Sequence, residues 1–179
     1  LLACKDHWVL LSKEFHQIHL EALPTRKKID ILIEKWLVRL EKSDEIYRLK
    51  QYYTKKLLTE KDLYNPQKVA LLTELKKQWY LLWVCSNSIR TSVEYITQKM
   101  SIYTLFDCVL SNNDVEKPKP DPEIYNKAMH FLWVNATQTL IIEDSDAGVA
   151  AALASGAHLL RVQDASEVHM ENINNICSL

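Results

Sequence analysis

The sequence predicts a three-layer α/β/α domain built on a parallel sheet and preceded by an all-helical segment. Three observations carry that reading. From about residue 67 onward helical and strand patterns alternate, and the strands are short runs of Leu, Ile and Val without polar alternation, as expected for strands buried on both faces. From about residue 5 to residue 64 apolar residues recur three and four apart with no strand-like run, so helices dominate there. The residues best suited to chemistry also cluster where strands end, which is where open parallel sheets bind ligands.

Each element has a local reason. Thr25 is placed to cap a helix carrying Ile29, Leu32, Ile33 and Trp36 on one side, and Ser43 to cap another running through Ile46, Leu49, Tyr53 and Leu57. Asn65-Pro66 pairs a good N-cap with the residue best suited to the first helical position, so a helix is expected over 67–78. A strand over 80–86, a helix over 88–99 and a strand over 108–110 follow. Asp121 then caps a helix over 122–132 that opens on Pro122. The last repeat is a strand over 140–142, a helix over 147–155 ended by Gly156, and a strand over 158–162.

Composition narrows the function. The 179 residues suffice for one good core and a small appendage. A formal net charge of -1 and the lack of a basic run argue against a nucleic-acid partner. No apolar stretch approaches the ~20 residues of a membrane span. Cys4, Cys85, Cys108 and Cys177 are far apart with no C-x-x-C spacing, which fits a reducing cytoplasm better than zinc or a disulfide framework.

Three segments converge on one sheet edge: Ser86, the loop over 112–119, and Glu143-Asp144. Acids at a strand-to-helix junction are positioned to hold a cation over bound phosphate, since the strand fixes them and the helix start favours anions. The same pair reads equally as a plain N-cap. Ser86 likewise reads as a cap, and Lys117 as a solvated loop lysine stiffened by Pro118, Pro120 and Pro122.

In order and spacing, YLLWVCSNSIR, VEKPKPDPEIY and IIEDSDAGVAAALASGA resemble the second, third and fourth motifs of the haloacid dehalogenase superfamily, in the β-phosphoglucomutase and phosphoglycolate phosphatase-like subgroup. The resemblance covers nearly the whole chain and implies a Rossmann-like core with an inserted α-helical cap. The implied domains are a core remnant over 1–8, a cap over 9–66 and the core over 67–179. It implies that Ser86 and the Asn87 amide bind a phosphoryl oxygen, that Lys117 neutralises phosphate and nucleophile, and that Glu143 and Asp144 bind Mg²⁺. Arg26 would reach a distal phosphate or sugar from the cap, or else is an exposed first-turn arginine.

The superfamily's opening Asp-x-Asp-Gly, which supplies the nucleophile and the general acid and base, does not occur in the sequence. The chain resembles an enzyme cut just downstream of its nucleophile, with its first sheet strand missing and inactive as it stands. The implied activity is that of a Mg²⁺-dependent phosphatase of a small phosphorylated metabolite such as a sugar phosphate, expected as a cytoplasmic monomer. A phosphomutase and an inactive phosphometabolite-binding protein are the alternatives.

Glycine and tryptophan are distributed unusually. There are only two glycines, Gly148 and Gly156, where about 7% is usual, alongside five tryptophans. Trp36, Trp79 and Trp133 each stand at a helix end whose grammar asks for a left-handed glycine. Some genetic codes read UGA as glycine and others as tryptophan. The three positions therefore read either as glycine codons rendered as tryptophan or as aromatics of the core, with Trp83 a further candidate and Trp8 an ordinary tryptophan.

Overall fold

The computed structural model describes residue 4 and residues 11–177. The expected remnant over 1–8 and Trp8 lie, apart from Cys4, outside the described residues. The chain divides into two compact units, 1–63 and 64–179.

The first unit is helical. α1 (Lys13–Leu20) is capped by Ser12, whose Oγ accepts from the Phe15 amide at 3.0 Å. α2 (Thr25–Glu34) and α3 (Ser43–Glu60) follow, the latter entered through a 3₁₀ turn at Leu40–Lys42. Leu20, Ile29, Leu32, Val38 and Ile46 are buried together with Cys4, and Ile33, Leu49 and Tyr53 pack against them half-buried; of the stripes read from the sequence, Leu57 is exposed, and so is Trp36, which lies beyond the end of α2. Two expected caps are corrected. Thr25 is the first helical residue, behind Pro24, and its buried hydroxyl accepts from Gln51 Nε2 at 3.4 Å instead of serving its own helix. Ser43 also lies inside its helix, because the preceding 3₁₀ turn runs straight into α3.

The second unit alternates helix and strand: α4 (Pro66–Lys77), β1 (Trp83–Cys85), α5 (Arg90–Lys99), β2 (Cys108–Leu110), α6 (Glu123–Phe131), β3 (Leu140–Glu143), α7 (Asp146–Ser155), β4 (His158–Arg161) and α8 (Met170–Cys177). Asn65 caps α4 as expected, accepting from the Lys68 amide at 3.1 Å with Pro66 in the first turn. Gly156 ends α7 at φ 76°. The fold is the α/β class expected, with all strand pairings parallel.

The sheet is in two halves. β1 pairs with β2, Val84 opposite Val109, and β3 pairs with β4, Ile141 opposite Leu159. Between the halves lies a cavity of about 450 Å³ lined by Leu82, Trp83 and Cys85 on one side and Ile141, Ile142 and Glu143 on the other, with no residue of β2 or β4 in its wall. The inner strand of each half therefore faces the cavity, while α4 and α8 contribute Leu75 and Ile173. The core beside it holds Ile124, Tyr125, Ile141, Ala151 and Ala152; the small residues of α7 let that helix lie close on β3.

Trp36, Trp79 and Trp133 have φ of 58°, 66° and 57°. They are 94%, 92% and 90% exposed, so they are not core aromatics. Trp83 has no such backbone: it starts β1, half-buried, with its ring edge-on to Tyr125 at 6.2 Å.

Candidate active site

The site forms where β1 and β3 end and the loop after β2 returns between them. Lys119 is its centre. Its side chain is 8% exposed, and its ammonium donates to the Cys85 carbonyl at 3.0 Å, to the Tyr125 hydroxyl at 3.0 Å and to Glu143 Oε1. Three donors thus meet three acceptors, which is how a buried ammonium is tolerated.

Glu143 is buried at the end of β3. The Tyr125 hydroxyl also donates to its Oε1, and the Ser145 hydroxyl donates to Oε2 at 3.1 Å. Burial raises the Glu143 pKa, but the Lys119 charge and the hydrogen bonds from Lys119, Tyr125 and Ser145 outweigh it and hold the carboxyl below the ordinary glutamate range. Burial and the bond to Glu143 push the Tyr125 phenol up, so it stays a donor. Burial, offset only in part by Lys119, pushes the Cys85 thiol up; it donates to the Ile124 carbonyl at 3.6 Å.

The sign of the Glu143 shift fixes a pH dependence. A carboxyl that ionises more readily in the folded chain than in the unfolded one adds stability above the unfolded value, about 4.3. That contribution is lost as pH falls through the lower folded value. Urea unfolding across that acid range should show stability falling steeply in the parent and less steeply in Glu143→Gln; equal slopes would mean that Glu143 does not titrate as described.

Gly148 exists for this carboxylate. Its backbone is helical, yet a Cβ there would lie 1.9 Å from Glu143 Oε2 and 2.1 Å from Cδ. The far end of Glu143 cannot swing away cheaply, because Lys119 and Tyr125 hold it. Gly148→Ala should therefore cost at least about 1 kcal/mol in urea unfolding, and most of that penalty should vanish when Glu143 is shortened to Ala in the same chain.

The loop is also pinned at its backbone. Asn87 Nδ2 donates to the Lys119 carbonyl and the Lys119 amide donates to Asn87 Oδ1, both at 3.0 Å, a side chain taking the part of a paired strand residue. Ser86 Oγ accepts from the Ser88 amide at 3.1 Å, and the Ser86 amide donates to Leu110. The helix expected from residue 88 begins at Arg90, so the Asn87 amide precedes the first turn. The cause is distant in the chain: the Ser88 carbonyl accepts from the Asn112 amide, and the Arg90 amide is taken by Asn113 Oδ1.

The structure thus brings Asn87 and Glu143 onto Lys119, the lysine that the sequence pattern passes over, while the bonds of Ser86, next to Asn87 in the chain, run to Ser88 and Leu110. Lys117 has an exposed side chain, and its amide donates to Glu123 Oε2 at 2.8 Å. Asp144 is exposed beside Glu143. Asp121 accepts from the Glu123 amide, but the expected cap is corrected: α6 begins at Glu123 and Pro122 holds the cap position, so Asp121 stands one residue too early, while α7 is capped by Ser145 and not by either acid. In the helical unit, Arg26 pairs with Asp44 at 2.7 Å and lies 4.2 Å over the Tyr47 ring. Lys119, Tyr125, Ser145 and Gly148 were not singled out from sequence for this site.

A divalent cation fits this arrangement in part. Both oxygens of Glu143 are engaged by Lys119, Tyr125 and Ser145, whereas Asp144 offers its carboxylate outward. Among the described residues no group of three or more His, Cys, Asp or Glu side chains is gathered. Mg²⁺, however, commonly uses one or two carboxylates together with water and phosphate oxygens.

The profile of the haloacid dehalogenase-like hydrolases matches residues 10–162, and the chain belongs to that family. It is 35% identical over 95 residues to a haloacid dehalogenase-like hydrolase domain-containing protein of Arabidopsis thaliana, a match covering 51% of this chain and 30% of that protein. It is 33% identical over 88 residues to validoxylamine A 7'-phosphate phosphatase of Streptomyces hygroscopicus subsp. limoneus, covering 49% and 41%. The chain thus matches well under half the length of these relatives. Among solved structures, β-phosphoglucomutase from Clostridium difficile superposes with a TM-score of 0.82 at 17% identity, covering 99% of this chain and 86% of that one. CbbY from Rhodobacter sphaeroides, in complex with xylulose-(1,5)bisphosphate, gives 0.76 at 21% identity, covering 88% and 74%. The family and fold are those expected from the three motifs.

Proposed function

We propose that the chain belongs to a Mg²⁺-dependent phosphoric monoester hydrolase acting on a small phosphorylated metabolite, such as a sugar phosphate. The observation that carries the reading is the apolar cavity between β1 and β3, which ends at Glu143 beside the buried Lys119. An additional parallel strand seated there would pair with both inner strand edges and deliver its last residues to the site. By family resemblance that strand ends in Asp-x-Asp-Gly. Its first carboxylate attacks phosphorus as the bond to the leaving oxygen breaks, its second acid gives that oxygen a proton, and water then cleaves the acyl phosphate.

The residues of this chain take supporting parts. The Ser86 hydroxyl and the Asn87 amide hold phosphoryl oxygens, and Lys117 offers its charge from the exposed side of the loop. Asp144 would hold Mg²⁺, which supplies charge neutralisation at phosphate when bound, while Glu143 stays behind it as the counter-ion of Lys119. By the family resemblance, Arg26 would contact the distal phosphate or sugar of the substrate. The validoxylamine phosphate phosphatase among the relatives supports the substrate class.

The 179-residue chain should not hydrolyse p-nitrophenyl phosphate, and it should fold marginally, with two strand edges open. Fusing a strand ending in Asp-x-Asp-Gly to its start should sharpen the thermal melt and confer Mg²⁺-dependent turnover. In the fusion, Ser86→Ala should lower kcat about 10²- to 10³-fold, the effect of removing one preorganised donor. Metal-dependent hydrolysis by the unfused chain that survives Asp144→Ala and Lys117→Ala would overturn the assignment. A fusion that folds firmly and binds phosphate without turnover would favour a binding protein.

A further inference from the structure

Four helices of this chain end in the same way. After α2, α4, α5 and α6 the residue beyond the cap donates its amide three residues back, and the next residue donates five residues back. The pairs are Trp36 to Ile33 with Leu37 to Leu32, Trp79 to Lys76 with Tyr80 to Leu75, Ser101 to Gln98 with Ile102 to Thr97, and Trp133 to His130 with Val134 to Met129, all between 2.9 and 3.2 Å. This is the Schellman motif, and the residue following it is apolar in every case, as the motif favours. Its pivot must be left-handed, a conformation that costs any residue with a Cβ and that glycine adopts freely.

Three of the four pivots are tryptophan. Bulky residues with positive φ are outliers, sustained where surrounding contacts compensate. Among the described residues that compensation is small: the three indoles are 94%, 92% and 90% exposed, and their one ring contact there is Trp133 stacked on His130 at 6.1 Å. Neither packing nor backbone preference therefore accounts for tryptophan at these places. Ser101, the fourth pivot, shows that a small polar residue can occupy the motif at φ 60°. Trp83, in ordinary strand backbone and packed on Tyr125, falls outside the argument.

We infer that positions 36, 79 and 133 are glycine in the protein made by its own ribosomes, encoded by UGA triplets in a genetic code that assigns UGA to glycine. At position 79 the change also bears on the apolar cavity, since Trp79 stands in its wall.

Peptide mass spectrometry of the protein isolated from the organism that encodes it, read together with the three codons, tests the inference. The expected result is glycine masses for the peptides spanning all three positions and UGA at each codon. Tryptophan masses at these positions, or UGG at any of the three codons, would overturn it.

Discussion

Lys119→Met should lower stability by about 3–5 kcal/mol, the cost of stranding one member of a buried ion pair. The loss has a single cause: the Glu143 carboxylate is left buried without its cation, and the Cys85 carbonyl and Tyr125 hydroxyl lose a donor. The measurement is the urea midpoint at constant slope, or outright loss of the folded signal if the parent's margin is smaller than the penalty. The double variant Lys119→Met/Glu143→Gln should recover a large part of the loss, because the amide is neutral and still accepts from Tyr125. A Lys119→Met chain within about 0.5 kcal/mol of the parent, the range of ordinary surface substitutions, would show that Lys119 does not occupy the core. Lys117→Met, by contrast, should fall within that range.

Converting Trp36, Trp79 and Trp133 together to glycine should stabilise the chain, although the variant deletes three aromatic side chains. Releasing a left-handed residue from its Cβ clash returns about 1–2 kcal/mol at each site. The greater freedom of glycine in the unfolded state takes back about 0.4–1 kcal/mol. The net gain over the three sites is centred on about 2.4 kcal/mol, within a span of roughly 0–5, and little offsets it because the indoles are exposed. Thermal and urea unfolding of the triple variant should both move upward. A drop would mean that the indoles make contacts that outweigh the strain.

What the sequence made legible was chemistry whose partners are near in the chain. Asn65-Pro66 and Gly156 announce helix ends because the bonds that satisfy those ends lie within a few residues. The left-handed pivots could be named for the same reason. Thr25 and Ser43 show the limit: both are good caps by residue type, but a preceding proline and a 3₁₀ turn took the capping place. The two-part sheet was invisible to periodicity, which reports that a strand is buried and not which strand lies beside it. α8 (Met170–Cys177) lies beyond the last element read from the sequence; asparagine, at 172, 174 and 175, is a weak helix former, and Ile173 is the helix's buried residue.

In the site, family spacing pointed to Lys117, and the structure puts Lys119 in the interior. Both lysines sit in the same proline-stiffened stretch, so nothing local distinguishes them. The deciding partners are Cys85, Tyr125 and Glu143, which stand 34, 6 and 24 residues away in sequence. Gly148 was equally opaque. Its reason is a carboxylate reaching over from β3, not a backbone angle.

The reciprocal amide bonds between Asn87 and Lys119 give the site a property that no single residue has. They fasten the end of β1 to the very residue that neutralises Glu143, so the Ser86-Asn87 turn and the buried ion pair form one mechanical body. On the proposed role of Ser86 and Asn87, binding of a phosphate that favours one placement of Lys119 would be weakened by an equal free energy when that placement is lost. Occupancy and interior order are thereby linked in both directions, with Asn87 as the hinge pin between them.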